Sequence, residues 1–172
     1  MDIGRRHILG ASAAGVAGAL AMPPDAARAA PLTSTLGRDA SHYGVRPNSP
    51  DDQTRALQRA IDEAARTNAP LALPPGVYRT GLLRLANGSQ LIGTRGATTL
   101  MFTGETSLLT SEGADHIGIS NLTLSGGGIP LPERRGLVHC LGGRNLRILD
   151  CEITGSGRNA IWLENAAGEI CG

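Results

Sequence analysis

Residues 115–126 read DHIGISNLTLSG, and they align without a gap on residues 144–155, RNLRILDCEITG. A third, partial copy opens at residues 168–172, where Ile170 matches Ile148. The spacing between the first and second copies is longer than the spacing between the second and third. An insertion at residues 129–135 explains the difference. Without the insertion the period is about 22 residues, which is typical of stacked repeats. We therefore look for function on the outer face of a coil.

Within each copy, apolar residues alternate with other residues, as in a strand that has one buried face. The apolar positions are Ile117, Ile119, Leu122 and Leu124 in the first copy, and Leu146, Ile148, Cys151 and Ile153 in the second. The alternation changes phase at Asn121 and Asp150, two residue types that tolerate the backbone angles of a sharp bend. Core and bend residues recur at the same positions in both copies, which predicts a coil of parallel strands. The alternative with many short strands, an antiparallel β-sandwich, does not require such a repetition.

Residues 1–29 have the features of an export signal. Arg5 and Arg6 form a twin-arginine signature, small apolar residues follow, and Ala-Arg-Ala offers cleavage between Ala29 and Ala30. The apolar run is too short and too rich in Gly and Ala for a comfortable membrane span. We expect a signal peptide at residues 1–29, a partner in the twin-arginine export machinery and a location in the periplasm or outside the cell. After cleavage we expect no stable membrane span; an uncleaved anchor is the alternative.

Residues 30–172 provide enough chain for one domain with a core of its own. The whole chain has 16 basic and 15 acidic residues. Without Arg5, Arg6, Arg28, Asp2 and Asp25, the mature part has 13 of each sign. Because the sequence shows no basic patch, nucleic acid is not expected as a partner.

The three cysteines are Cys140, Cys151 and Cys171. An odd number cannot pair completely, and their spacing fits no zinc pattern. Cys151 takes the place of Leu122 at a core position. Whether any two of them form a disulfide is left open, because a bridge needs Cα atoms about 4.4–6.8 Å apart. The sequence identifies no metal site and leaves any cofactor unknown.

Residues 52–66 predict an amphipathic α-helix, since apolar residues recur there at helical spacing. Asp51 and Asp52 suit the positive end of a helix, and Pro70 ends the segment. Residues 31–50 are expected to be extended, and residues 71–172 to form the repeats. A coil of parallel sheets needs a cover on its open end, so we interpret the helix as an N-terminal cap. The chain stops inside a repeat, from which we expect a fragment that lacks its C-terminal turns.

The cap region also resembles a known family. Residues 51–61 read DDQTRALQRAI and residues 73–78 read LPPGVY, similar to the DDT-x-A-L-Q-x-A-I and L-P-x-G-x-Y opening of the pectate-lyase-superfamily β-helix domain. Together with the signal and the repeats, the chain resembles a twin-arginine-translocated repeat family without established activity. The resemblance implies an all-β, right-handed parallel β-helix of the pectin-lyase type with an N-terminal capping α-helix.

The superfamily includes polysaccharide lyases, glycosidases, epimerases and non-catalytic members. The N-T-D, D-D and G-H-G motifs of its polygalacturonase type are not matched, because residues 121–123 are Asn-Leu-Thr and residues 155–157 have no His. Calcium-dependent pectate lyases need clustered carboxylates and an Arg. Asp150 is better explained as a bend residue, and Arg147 and Glu152 as a solvated face.

The inserted loop provides the candidate catalytic residues Glu133, Arg134, Arg135 and, on the next strand, His139. Arg binds carboxylates in a bidentate manner, as uronic acids require, and His titrates near neutral pH. A tolerated surface insertion with solvated charges is the alternative. Trp162 is a candidate for stacking on a sugar ring, provided that Ile161 and Leu163 face inward; it could equally pack under a loop.

Two functions remain open at this stage. The first is an exported carbohydrate-active enzyme, a polysaccharide lyase or glycoside hydrolase that acts on an acidic polysaccharide from the outer face of the coil. The second is a non-catalytic structural or glycan-binding repeat protein of the cell envelope. The absence of acid motifs and the low aromatic content, 2% of residues, favour the second.

Overall fold

The computed structural model describes residues 37–104 and 106–172. The expected signal peptide, with Arg5, Arg6 and the cleavage site between Ala29 and Ala30, lies outside the described residues. Within the described part, no helix is both long enough and apolar enough to cross a bilayer.

The described residues form one α-helix and a series of short strands. The helix, α1, spans Thr54–Arg66. The strands are β1 (Arg38–Asp39), β2 (Leu71–Ala72), β3 (Gly76–Thr80), β4 (Leu83–Arg84), β5 (Gln90–Ile92), β6 (Thr98–Phe102), β7 (Leu109–Glu112), β8 (Gly118–Ser120), β9 (Thr123–Ser125), β10 (Gly136–Leu141), β11 (Leu146–Leu149), β12 (Glu152–Thr154), β13 (Asn159–Glu164) and β14 (Gly168–Cys171).

The strands stack into three sheets, and successive strands along the chain visit the sheets in turn. Sheet A has the order β1-β2-β5-β8-β11-β14, sheet B has β12-β9-β6-β3, and sheet C has β13-β10-β7-β4. The strand pairs in all three sheets are parallel. The fold is therefore a right-handed parallel β-helix, as the sequence predicted.

The core consists of columns of like residues, one above another. Ile119 pairs with Leu91 on one side and Ile148 on the other, and Ile148 pairs with Ile170. Leu124 pairs with Ile153 in sheet B. The predicted alignment of the three copies is confirmed residue by residue.

The insertion lies mainly in one turn of the coil. The turn between β9 and β10 has ten residues, against four between β12 and β13. The seventh extra residue lies in the turn after β10, which has four residues against three after β13. The strand registers therefore survive a change in turn length of several residues, because a longer surface turn costs little closure entropy.

The bends predicted at Asn121 and Asp150 are present. Their φ angles are 56° and 52°, in the left-handed region that Asn and Asp adopt more readily than most residues. Each of them separates a strand of sheet A from a strand of sheet B. Cys151, which follows the second bend, is half-buried and packs against the core, as its alignment with Leu122 predicted.

Helix α1 covers the first turn of the coil. Its buried face consists of Leu57, Ala60, Ile61 and Ala64. The helix begins two residues later than predicted, because the Asp52 carboxylate accepts a hydrogen bond from the backbone N–H of Thr54 at 3.0 Å. Asp52 thus lies before the first turn of the helix and not within it.

Residues of the cap region also form hydrogen bonds with backbone groups at the sheet edges. The Gln58 amide accepts a hydrogen bond from the backbone N–H of Arg84 at 2.8 Å and donates one to its carbonyl oxygen at 2.9 Å. Asn48 accepts from the backbone N–H of Val77 at 3.0 Å and donates its own N–H to the Val77 carbonyl at 2.8 Å. The edges of β3 and β4 are thereby paired, as a cap requires.

The expectation that residues 31–50 are extended is wrong for one segment. Ala40–Tyr43 forms a 3-10 helix, and residues 31–36 lie outside the described part. The Asp39 carboxylate accepts a hydrogen bond from the backbone N–H of Ser41 at 2.8 Å, and Gly44 ends the turn with a φ of 80°. Local side-chain capping of this kind competes with extended backbone at Asp and Ser.

Candidate functional site

The outer face of sheet C contains the candidate residues His139 and Trp162. Inward and outward side chains alternate along its strands. The inward column is Leu83, Leu109, Val138 and Ile161. The outward column is Arg84, Thr110, His139 and Trp162. Parallel stacking therefore puts His139 and Trp162, which belong to successive turns of the coil, at neighbouring positions.

His139 is buried although it belongs to the outward column. Its side chain and backbone together are only 3% exposed, and Thr110 beside it is 7% exposed. Within the described part of the chain, neither His139 Nδ1 nor Thr110 Oγ1 has a hydrogen-bond partner. Most buried polar atoms in proteins are paired, so these two atoms are candidates for contact with a bound water or a ligand group.

Burial lowers the pKa of His139, and the nearby positive charge of Arg135 lowers it further. The carboxylates of Glu164 and Glu112 act in the opposite direction with smaller effect. The imidazole is therefore neutral at pH 7, with one nitrogen that donates and one that accepts. A neutral imidazole of this kind can take up a proton or orient a neutral ligand group.

Trp162 is half-buried next to His139. Ile161 packs against the core, so the side chain of Trp162 lies on the opposite, outer face. Leu163, the second residue expected to face inward, pairs with the buried Cys140 but is itself 40% exposed on the last turn. The indole thus presents part of its surface to solvent beside a polar group, which leaves both stacking and packing available to it.

The turn between β9 and β10, residues 126–135, contains the inserted loop and separates its three candidate residues. Glu133 and Arg134 are exposed, and Glu133 reaches Arg158 on the next turn at 4.0 Å. Arg135 is half-buried, and its carbonyl oxygen accepts a hydrogen bond from Asn159 Nδ2 at 3.0 Å. The charge of Arg135 acts on His139, whereas the side chains of Glu133 and Arg134 lie in solvent.

Leu131 anchors this loop, because it is 6% exposed and belongs to the core cluster. The insertion is therefore packed onto the coil rather than loosely attached to it. Arg134, with a φ of 55°, forms the bend that returns the chain to β10.

Acidic residues that the sequence did not single out complete this face. Leu141 pairs with Glu112 on one side and Glu164 on the other, so both carboxylates end strands of sheet C at the same level. A cleft of about 210 Å³ is lined by Asp62 and Glu112 together with Arg84 and Thr110. This is below the size of about 300 Å³ at which ligand pockets usually begin.

Within the described part of the chain, neither the cysteines nor any group of potential metal ligands forms a further site. The thiols of Cys140, Cys151 and Cys171 are free; the first is buried and the last exposed. Burial raises the pKa of the thiols of Cys140 and Cys151, which makes both poor nucleophiles. Among residues 37–104 and 106–172, no three His, Cys, Asp or Glu side chains are grouped closely enough to hold a metal ion.

Comparison with known proteins finds relatives by structure alone. No protein-family model and no curated protein sequence matches the chain. A proposed glycosyl hydrolase from Parabacteroides merdae ATCC 43184 superposes with a TM-score of 0.63 at 14% identity, over 76% of this chain and 72% of its own.

Two A-modules of mannuronan C-5 epimerases from Azotobacter vinelandii are also similar. AlgE6 matches with a TM-score of 0.63 at 20% identity, and AlgE4 with 0.58 at 21% identity. In both cases the match covers 77% of this chain and 41% of the epimerase module, so the chain spans about two fifths of these modules. Similarity at this level of identity shows a shared right-handed β-helix fold.

Proposed function

We propose that this β-helix recognises an acidic polysaccharide along the outer face of sheet C. The observation that carries the proposal is that the half-buried indole of Trp162 lies beside His139 on the outward column of this sheet, near the positive charge of Arg135. The carbohydrate-related names of its structural neighbours support the ligand class. This support is by analogy of fold, so the argument depends on the residues of the face itself.

The basic and acidic groups of the face lie at opposite ends of its strands: Arg135 precedes β10, whereas Glu112 and Glu164 end β7 and β13. The carboxylates of a uronate chain would therefore lie at the end of the face near Arg135, away from the two glutamates. A guanidinium binds a carboxylate with paired hydrogen bonds, as Arg135 and Arg84 can do at the two sides of the face. The partly exposed indole of Trp162 offers an apolar plane to a sugar ring. A neutral imidazole near a guanidinium also has the groups that proton removal next to a uronate carboxylate requires.

One observation favours the non-catalytic alternative, a glycan-binding role. A catalytic base must come within hydrogen-bond distance of the proton that it removes. His139 is 3% exposed, so a sugar reaches it only after a covering side chain moves. As the face stands, it is better suited to holding a glycan than to proton transfer.

The proposal is tested on the full-length protein with polygalacturonate and polymannuronate, and with a neutral glucan as control polymer. Binding is measured by calorimetry; activity is followed as new reducing ends and as the absorbance of unsaturated products. We expect Trp162→Ala and Arg135→Gln each to weaken binding of the acidic polymers by about tenfold. Arg79→Gln, which removes an exposed Arg from sheet B, should leave binding unchanged.

A folded protein that binds neither acidic polymer would contradict the proposal. Equal binding of the neutral glucan would contradict the proposal that Arg135 binds a uronate carboxylate. Binding without any product would establish the glycan-binding alternative over the lyase or hydrolase.

We further propose that the protein reaches the periplasm or the exterior by the twin-arginine route. Its support is the sequence of residues 1–29. Replacing both Arg5 and Arg6 by Lys should retain the protein in the cytoplasm, whereas Arg28→Lys should not. Cell fractionation checks this, and export of the double variant would overturn it.

A further inference from the structure

The outer face of sheet A carries a groove that is separate from the site on sheet C. The groove has a volume of about 480 Å³, within the range of about 300–1,000 Å³ for ligand pockets. It crosses β5, β8 and β11. Its lining includes Gln90, Ile92, His116, Gly118, Arg147 and Leu149.

Gly118 forms the floor of this groove. It pairs with Gln90 on one neighbouring strand and Arg147 on the other, so the outward column has two long polar side chains with a gap between them. Glycine weakens a strand, because it loses more backbone entropy on folding and has no side chain to pack. A glycine at this position therefore needs an explanation.

Neither backbone conformation nor crowding requires glycine there. Gly76 has a positive φ, and a Cβ on Gly136 or Gly168 would collide with backbone atoms of a neighbouring strand. A Cβ on Gly118 would meet nothing closer than the Gln90 side chain at 3.5 Å, an ordinary van der Waals contact. A glycine within a strand marks a bulge, a tight bend or the close approach of a ligand or another backbone. Gly118 is paired in regular register on both sides and no other backbone in the described part of the chain approaches it, which favours a ligand.

The groove has one polar and one apolar side. Within the described part of the chain, the side chains of Gln90 and Arg147 make no hydrogen bond or ion pair. Asn145 Nδ2 lies within hydrogen-bond distance of His116 Nε2, at 3.2 Å. The aliphatic side chains of Ile92 and Leu149 stand in register along the opposite side, with Ser120 between them.

This arrangement matches the two surfaces of a sugar ring, whose C–H face is apolar and whose rim carries hydroxyl groups. Amide and guanidinium groups form hydrogen bonds with the rim, and the free guanidinium of Arg147 also selects a carboxylate. Glu169 pairs with Arg147 on its far side and repels a second negative charge there. A carboxylate would therefore approach Arg147 from the side of Gly118.

We propose that the groove on sheet A is a second binding site for a short stretch of uronic-acid residues, with one ring over Gly118 and its carboxylate on Arg147. The identity of the ligand rests on the proposed function; the position of the site rests on Gly118 and its neighbours. Two binding faces on one coil would let the protein hold one polymer at two points and raise its avidity.

The test is a titration of the full-length protein with an oligouronate, observed at two places by NMR. The backbone amide signal of residue 118, which is assigned in the wild type and again in each variant, reports on sheet A, and the indole signal of Trp162, the only Trp of the chain, reports on sheet C. We expect Gly118→Val and Arg147→Gln each to weaken the binding seen at sheet A by about tenfold, with no change at Trp162. Thr123→Val and Arg79→Gln, outward changes on sheet B, are the matched controls.

The outcomes separate the two proposals. If the oligouronate shifts Trp162 but not Gly118, or if both variants bind as the wild type does, the second site is wrong and the proposed function stands. If it shifts neither signal, the proposed function fails as well. A neutral oligosaccharide that shifts Gly118 equally would overturn the uronate assignment. Thermal unfolding confirms that the variants are folded.

Discussion

The outer faces of sheets C and A have the same strand geometry but opposite accessibility. On sheet C the outward residues Thr110 and His139 are buried. On sheet A the outward residues Gln90 and Arg147 are exposed on either side of Gly118. A ten-residue turn with the buried Leu131 leads into β10 on sheet C, whereas two residues separate sheet A from sheet B at each of the two left-handed bends. The long turn thus adjoins the face with buried outward residues, and the short bends adjoin the open face.

The comparison distinguishes the residues that fix the fold from the segments whose length can vary. The core columns fix the registers, and the turns between strands lengthen without disturbing them. A coil of this kind can therefore acquire a covered, charged site on one face and an open groove on another.

The largest effect should come from replacing a strand glycine of sheet C by Val, with the same replacement on sheet A as the comparison. Gly136→Val on sheet C would place a Cβ 2.6 Å from the backbone nitrogen of Trp162, and we expect a loss of about 3 kcal/mol in the free energy of unfolding. Gly118→Val on sheet A should stay within about 0.5 kcal/mol of the wild type, because its Cβ has room. Urea unfolding measures both. Equal losses would show that the two positions do not differ in packing.

The inserted loop should contribute through its apolar anchor rather than its charges. Leu131→Ala removes a side chain that is 6% exposed, and we expect a loss of about 2–3 kcal/mol in the free energy of unfolding. Glu133→Ala is the control, because an exposed ion pair such as Glu133–Arg158 contributes about 0–1 kcal/mol. A small effect of Leu131→Ala would mean that the loop is not packed on the coil.

The buried imidazole predicts a pH dependence that belongs to sheet C. Because the pKa of His139 is lower in the folded than in the unfolded protein, the unfolded protein takes up the proton first as the pH falls. Stability should therefore be complete above about pH 7 and decline below about pH 6.5, the ordinary pKa of His, until the folded imidazole is protonated as well. His139→Gln should make this decline shallower, as measured by urea unfolding at a series of pH values.

Measurements above pH 8 give the baseline for this comparison, since the imidazole is then neutral in both states. If the variant and the wild type decline in parallel below pH 6.5, His139 is not the titrating group.

The smallest effect should come from an ion pair at the edge of sheet A. Arg95 reaches the bend residue Asp150 at 2.8 Å, but the two side chains are 67% and 51% exposed. Solvent screens such a pair, so we expect Arg95→Gln to change the free energy of unfolding by about 0.5 kcal/mol or less. The difference should vanish in 1 M salt. A large loss would show that the open face depends on this pair.

The sequence allowed the fold to be predicted in detail because the decisive signals are local. The alternation around Ile119 and Ile148, the bend types at Asn121 and Asp150 and the apolar face of α1 each act within a few residues. Stacking then converts equal local patterns into spatial neighbours, which is why an alignment of one chain with itself gave the register.

The sites were harder to predict because they depend on the turns between strands. The candidates His139 and Trp162 lie together on sheet C. Glu112 and Glu164 lie on the strands on either side of β10, and their positions depend on strand pairing across turns of the coil that differ in length. The burial of His139 was not foreseen either, since alternation alone assigns it to solvent. For Gly118, the missing side chain was visible in the sequence, but only its neighbours on β5 and β11 show that it leaves an open space.

The amide of Gln58 has a consequence for how copies of this protein can associate. It engages both hydrogen-bonding groups of Arg84, the donor and the acceptor that an incoming strand would use at that edge of sheet C. A second polypeptide could extend the sheet there only by first dislodging α1 together with its four buried residues. Extension of sheet C at this edge is therefore opposed by a side chain that takes the hydrogen bonds of an incoming strand.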